Sequence, residues 1–119
     1  MFGFERLEVW EEANFFAVMV HVLTGDFPSD QRLGLARQMR RAAVSISANI
    51  AAGSTCNSRQ DFVHFVDIAA DSLGEVVSHL AVSRSQGLLS AAEFLALYHA
   101  ARDQRRTLTG LRRWLLEGT

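Results

Sequence analysis

Five arginines, Arg102, Arg105, Arg106, Arg112 and Arg113, crowd one stretch near the C-terminus, with Asp103 as their local counter-charge. On a helix, residues three and four apart share a side, so this stripe has the spacing to hold successive phosphates of RNA or DNA. A guanidinium adds bidentate geometry, and all 12 Lys+Arg positions are arginine. A plainer account pairs the stripe with the acidic start of the chain, where Glu5, Glu8, Glu11 and Glu12 stand against Arg6 alone. The basic stretch has no interleaved aromatic to stack on bases.

A second constellation is His64, Asp67, Asp71, Glu75 and His79, again at steps of three and four. Carboxylates and imidazoles on one helical face can converge on a divalent ion. A di-iron bundle site, however, needs a Glu-x-x-His motif on each of two helices. Here Glu75 and His79 are four apart and no second helix supplies a matching pair, so no metal site is assigned. The favoured reading is electrostatic. Arg37, Arg40 and Arg41 face Asp67, Asp71 and Glu75 if their helices pack antiparallel, as a structural ion-pair network that fixes register. Cys56 has no sequence-local base to activate it. His21 and His99 are scattered, and Trp10 and Trp114 read as core residues or interface anchors. No phosphate loop, nucleophile elbow or metal-finger spacing is present, so the expectation is no enzyme and no cofactor.

The elements that must position these residues are four helices, expected at about 7–24, 30–52, 58–86 and 90–116, within one domain spanning 1–119. The first carries Trp10, Ala13, Ala17, Val20 and Thr24 on one stripe and Val9, Phe16, Met19 and Leu23 on another. Gly25 is placed to end it in a left-handed cap. Pro28, Ser29 and Asp30 start the second, which Gly53 closes. Its seam is Leu35, Met39, Ala42, Ile46, Ile50 and Gly53. Ser58 with Asp61, and Ser90 with Glu93, have the capping-box spacing that begins helices three and four. Phe62, Val66, Ala69, Leu73, Val76 and Leu80 form the third seam, and Gly87 ends it. Phe94, Leu97, Ala101, Gln104, Leu108, Leu111 and Leu115 form the fourth, before Gly118. Close helix approach is the expected reason for Gly74. Helices of roughly 20 residues, about 30 Å long, joined by short connections make an all-α, up-and-down, antiparallel four-helix bundle.

Composition agrees with a packed domain: 49 % of residues are hydrophobic and the formal net charge is −1. That charge argues against coating nucleic acid by bulk electrostatics. No apolar run approaches the roughly 18 residues of a membrane span, and the first residues do not read as a signal peptide. One cysteine permits no internal disulfide, and the expected location is the cytoplasm.

The stretches Phe4–Trp10, Phe27-Pro28, Leu35–Gly53 with its Gln-Met-Arg-Arg-Ala-Ala-Val-Ser-Ile centre, Asp61–Phe65, Ile68-Ala69 and Ser72–Glu75 together resemble a bacterial four-helix-bundle family. Its members are encoded in intervening sequences of large-subunit ribosomal RNA genes. The resemblance implies a bundle that assembles into a homopentameric ring, and it brings no catalytic residues. A distant relative, the accessory protein of diversity-generating retroelements, is a pentameric barrel that binds nucleic acid and a reverse transcriptase. Two positions depart from the family pattern. Ala52 stands where family members usually have glutamate, and Ser47 where they usually have proline, so no role resting on that glutamate is carried over.

The expected function is thus a non-enzymatic oligomeric scaffold. It binds RNA or DNA through Arg102, Arg105, Arg106, Arg112 and Arg113, with itself and a protein as further partners and no membrane. The small surface of Ala43, Ser47, Ala48 and Ala51 is the expected subunit contact. The alternative is a protein-binding or structural assembly with no affinity for nucleic acid.

Overall fold

A computed structural model describes residue 3 and residues 7–117 of the chain, with backbone alone for residues 31–33. Phe4, Glu5, Arg6 and Gly118 lie outside the described residues. Among those described, the chain is four helices and no strand. Helix α1 is Glu8–Leu23. Helix α2 begins with the turn Ser29–Gln31, widens into a π-helical turn over Arg32–Ala36, and continues as regular helix Arg37–Ser54. Helix α3 is Arg59–Ser85 and α4 is Ala91–Glu117.

The seams assemble as their spacing predicts. Val9, Ala13, Phe16 and Val20 of α1 meet Met39, Ala42, Ile46 and Ile50 of α2 in one core. Val66, Ala69, Leu73, Val76 and Leu80 of α3 and Leu97, Ala101, Leu108 and Leu115 of α4 complete it. Phe62, Phe94 and Leu111 sit half-buried at its edge. Each helix packs on its chain neighbours, and α1 also packs on α4, which closes the bundle. Cross-helix contacts set the directions. The start of α3 meets the end of α4 through Arg59 and Trp114, and Ser45 meets Ser72 across α2 and α3. Both α3 and α4 have 27 residues, about 40 Å at 1.5 Å per residue. They account for a molecule 45 Å in its longest dimension.

The helix ends follow local chemistry, with two departures. Ser58 Oγ accepts from the Asp61 amide at 3.1 Å. Ser90 and Glu93 close a complete capping box, with bonds of 2.8 and 3.1 Å in the two directions. Gly87 ends α3 at φ +74°, a conformation glycine adopts without steric cost. Gly25, by contrast, does not have a positive φ. The α1 terminus is instead capped at Thr24, whose amide reaches the Val20 carbonyl. Gly53 does not close α2, which runs on to Ser54. Its role is close approach: a Cβ there would lie 2.7 Å from Phe62 Cδ1 and 2.9 Å from Phe65 Cβ. That is the role expected of Gly74, yet a Cβ on Gly74 would meet nothing within 4 Å. Ala43 is fully buried in the core and contributes nothing to an outer surface.

Candidate nucleic-acid interface

All five α4 arginines are exposed, because the Leu97–Ala101–Leu108–Leu115 seam turns the other side of the helix inward. Arg112 is committed elsewhere: its Nε donates to Asp67 Oδ1 on α3 at 2.7 Å. Arg102, Arg105, Arg106 and Arg113 make no ion pair or hydrogen bond among the described residues. They line one open groove of about 320 Å³ together with Thr109 and Gly110. Arg102 and Arg105 also line a larger cleft of about 520 Å³ between α3 and α4, where Asp71, Gly74, Val77 and Tyr98 stand. The two hollows share these arginines and form one surface.

The acidic first helix does not neutralise this stripe among the described residues. Glu8 and Glu11 are exposed at the α1 N-terminus, where the helix dipole favours them. Glu12 turns toward α4 but accepts from Thr107 Oγ1 at 3.3 Å instead of from an arginine. Burial pushes the Glu12 carboxyl above its ordinary value; the Thr107 hydroxyl draws it back, and Asp103 adds to the rise. Among the described residues, one Glu12 oxygen and both polar atoms of Gln104 are buried with no hydrogen-bond partner.

The expected network of Arg37, Arg40 and Arg41 with Asp67, Asp71 and Glu75 does not form among the described residues. Arg37 and Arg41 are exposed, so nothing compels them to pair. Arg40 points the other way, to the end of α1. Its Nε donates to Thr24 Oγ1 and its second guanidinium nitrogen to the His21 carbonyl, both at 2.9 Å. A cation on the terminal carbonyls of a helix is favoured by the dipole. On the acidic side, Asp67 takes Arg112, and Glu75 lies 3.5 Å from His79 on its own helix. Asp71 is exposed on the wall of the larger cleft. No three of the described His, Cys, Asp and Glu side chains converge as a metal-binding group. Cys56 is half-buried, its thiol donating to the Ala52 carbonyl at 3.5 Å.

Two contributors are not visible in the spacing of charges. Arg59 lies 4.7 Å from the Trp114 ring centroid, a cation–π contact that ties the start of α3 to the end of α4. Tyr98 supplies the aromatic that the arginine stretch lacks. It sits one turn before Arg102, with its ring stacked on Phe94 at 5.8 Å. The i, i+4 spacing of Phe94, Tyr98 and Arg102 is the signal that leads to it.

A helical bundle with an exposed arginine face defines the class. The 23S rRNA-intervening sequence protein model matches residues 5–110, and the chain belongs to that family. The fold is also that of a crystal structure of a protein of unknown function from the S23 ribosomal protein family of Bacteroides thetaiotaomicron VPI-5482. That chain is 20 % identical, superposes with a TM-score of 0.80, and aligns over 87 % of this chain and 97 % of its own. No curated protein matches. No helix among the described residues is long and apolar enough to cross a membrane.

Proposed function

We propose that the protein is a non-enzymatic, self-associating scaffold of the cytoplasm that binds RNA or DNA through Arg102, Arg105, Arg106 and Arg113. The observation that carries this reading is the groove these four line with no counter-ion among the described residues. Guanidinium groups held along one helix match phosphates spaced along a strand, and their local density outweighs a net charge of −1. The description of the solved relative as a ribosomal family member is in keeping with RNA as partner. Self-association is supported by an apolar stripe on the outside of α1, where Phe15 and Val22 are 66 and 63 % exposed beside Val18. The same stripe favours the second reading, an assembly that contacts only proteins.

Titration of labelled structured RNA and duplex DNA at two salt concentrations tests the first reading. Affinity falling steeply with salt supports it, and Arg105→Ala with Arg106→Ala lowers the salt slope by about one for each arginine removed. No binding at low salt retires it in favour of the protein-only assembly. Light scattering at micromolar concentration tests self-association, for which a ring of five is the proposed form; a monomeric mass ends that part.

A further inference from the structure

We infer that the cleft between α3 and α4 receives the base of an unpaired nucleotide, so that the protein takes single-stranded nucleic acid in preference to a duplex. The inference rests on the phosphate-binding reading of the α4 arginines and adds what lies beside them. The cleft holds about 520 Å³, within the range of small-molecule sites, and has Leu73 and Val77 among its apolar walls. It stays open because the helices present Ala70, Gly74 and Ala101 there, and the missing side chain of Gly74 leaves space that no atom fills within 4 Å.

Its chemistry is graded from one rim to the other. Tyr98 offers a 42 % exposed aromatic surface, held in place by stacking on Phe94 with ring planes 20° apart. Asp71 brings a carboxylate, an acceptor for the amino and imino donors on a base edge. Arg102 and Arg105 bring two cations, and they continue into the groove of Arg106 and Arg113. An apolar aromatic slot with an acceptor at one wall and a phosphate track at another is complementary to a nucleotide within a strand. Phosphates alone require only the groove. A duplex keeps its bases stacked inside, so it leaves the slot empty. A free acidic ligand without a flat apolar part meets Asp71 as a like charge and does not use the Tyr98 wall.

The test is fluorescence anisotropy at one low salt concentration, with a labelled single strand, the duplex of the same length, and free adenosine monophosphate as competitor. The expected result is that the strand binds more tightly than the duplex, despite the duplex's higher charge density. Tyr98→Ala and Gly74→Leu each lower strand affinity, roughly tenfold for loss of one stacked base, and leave duplex affinity unchanged. Both positions are exposed, and thermal melts confirm that each variant folds; either one alone suffices. Equal affinity for strand and duplex, unmoved by both variants, overturns the base-binding cleft while the arginine reading stands. No binding of either wild-type complex removes the arginine reading and the cleft with it. Displacement of the strand by adenosine monophosphate at the strand's own concentration overturns strand recognition in favour of a free-nucleotide site.

Discussion

The two seams that flank the bundle's core differ in kind. Between α2 and α3 the residues are small and their polar groups are satisfied. Ser45 and Ser72 share a 2.8 Å bond, Asn49 donates to the Ser45 carbonyl at 2.8 Å, and Gly53 lets Phe62 and Phe65 press onto the α2 backbone. Between α1 and α4 the contact is sparser, and it carries Glu12 with one oxygen orphaned among the described residues; Gln104, buried one turn before Thr107 on α4, has two atoms with no partner among them. Close packing with satisfied groups resists change, whereas unpaired buried polar atoms leave stability to be gained. The first seam specifies how the helices fit, and the second is where the fold is least optimised.

The largest effect is expected from breaking the tight seam. Gly53→Val places carbon inside the contact distance of Phe62 and Phe65 and costs about 3 kcal/mol, lowering Tm by on the order of 10 °C. A melt within a degree or two of wild type would show that this approach is not tight. Relieving the buried polar atoms of α4 comes next. Gln104→Leu keeps the volume, removes two buried atoms that have no partner among the described residues, and stabilises by about 1–2 kcal/mol in urea unfolding. A loss of stability instead would mean that Gln104 has a bound partner.

A third pair of variants separates two adjacent arginines. Arg40→Ala removes both hydrogen bonds to the α1 end and costs about 1 kcal/mol. Arg41→Ala, at an exposed site with no ion pair among the described residues, leaves the melt within about 0.5 kcal/mol. The reverse order would restore the register-fixing network. The smallest effect is a pH dependence. The Glu12 carboxyl is raised above its ordinary 4.5 in the folded state, so its cost is full above the folded pKa and fades as pH falls through that value toward 4.5. Glu12→Gln is therefore more stable than wild type at pH 7, and the difference closes in acid. A difference independent of pH would remove the assigned cause.

The contrast between the seams also marks how far residue order reaches. Val66, Ala69, Leu73, Val76 and Leu80 declare themselves by spacing alone, because a helix has one period and a core has one demand. The capping box of Ser90 and Glu93 is equally legible, since all its partners lie within one turn. Arg40 is not. Its position on α2 is evident, but whether it meets α3 acids or the α1 terminus depends on the rotation of one helix against two neighbours. Gly53 takes the close-approach role expected of Gly74 for the same reason: a glycine in a helix announces missing bulk, and only the packing shows whether a neighbour fills it. The π-helical turn over Arg32–Ala36 has no recognisable signature in the residues that form it.

At the candidate interface, the arginine stripe and its helix followed from sequence, as did the family and the bundle fold. These are properties of local spacing and of motif, which survive without knowing what lies opposite. The tertiary structure decided that Arg112 belongs to Asp67, that the acidic helix leaves the other four arginines unpaired among the described residues, and that Tyr98 and Asp71 share a cleft with two of them. Those outcomes depend on how helices are offset and rotated against one another. That arrangement is a sum of many small contacts across the bundle, and no single stretch of chain encodes it.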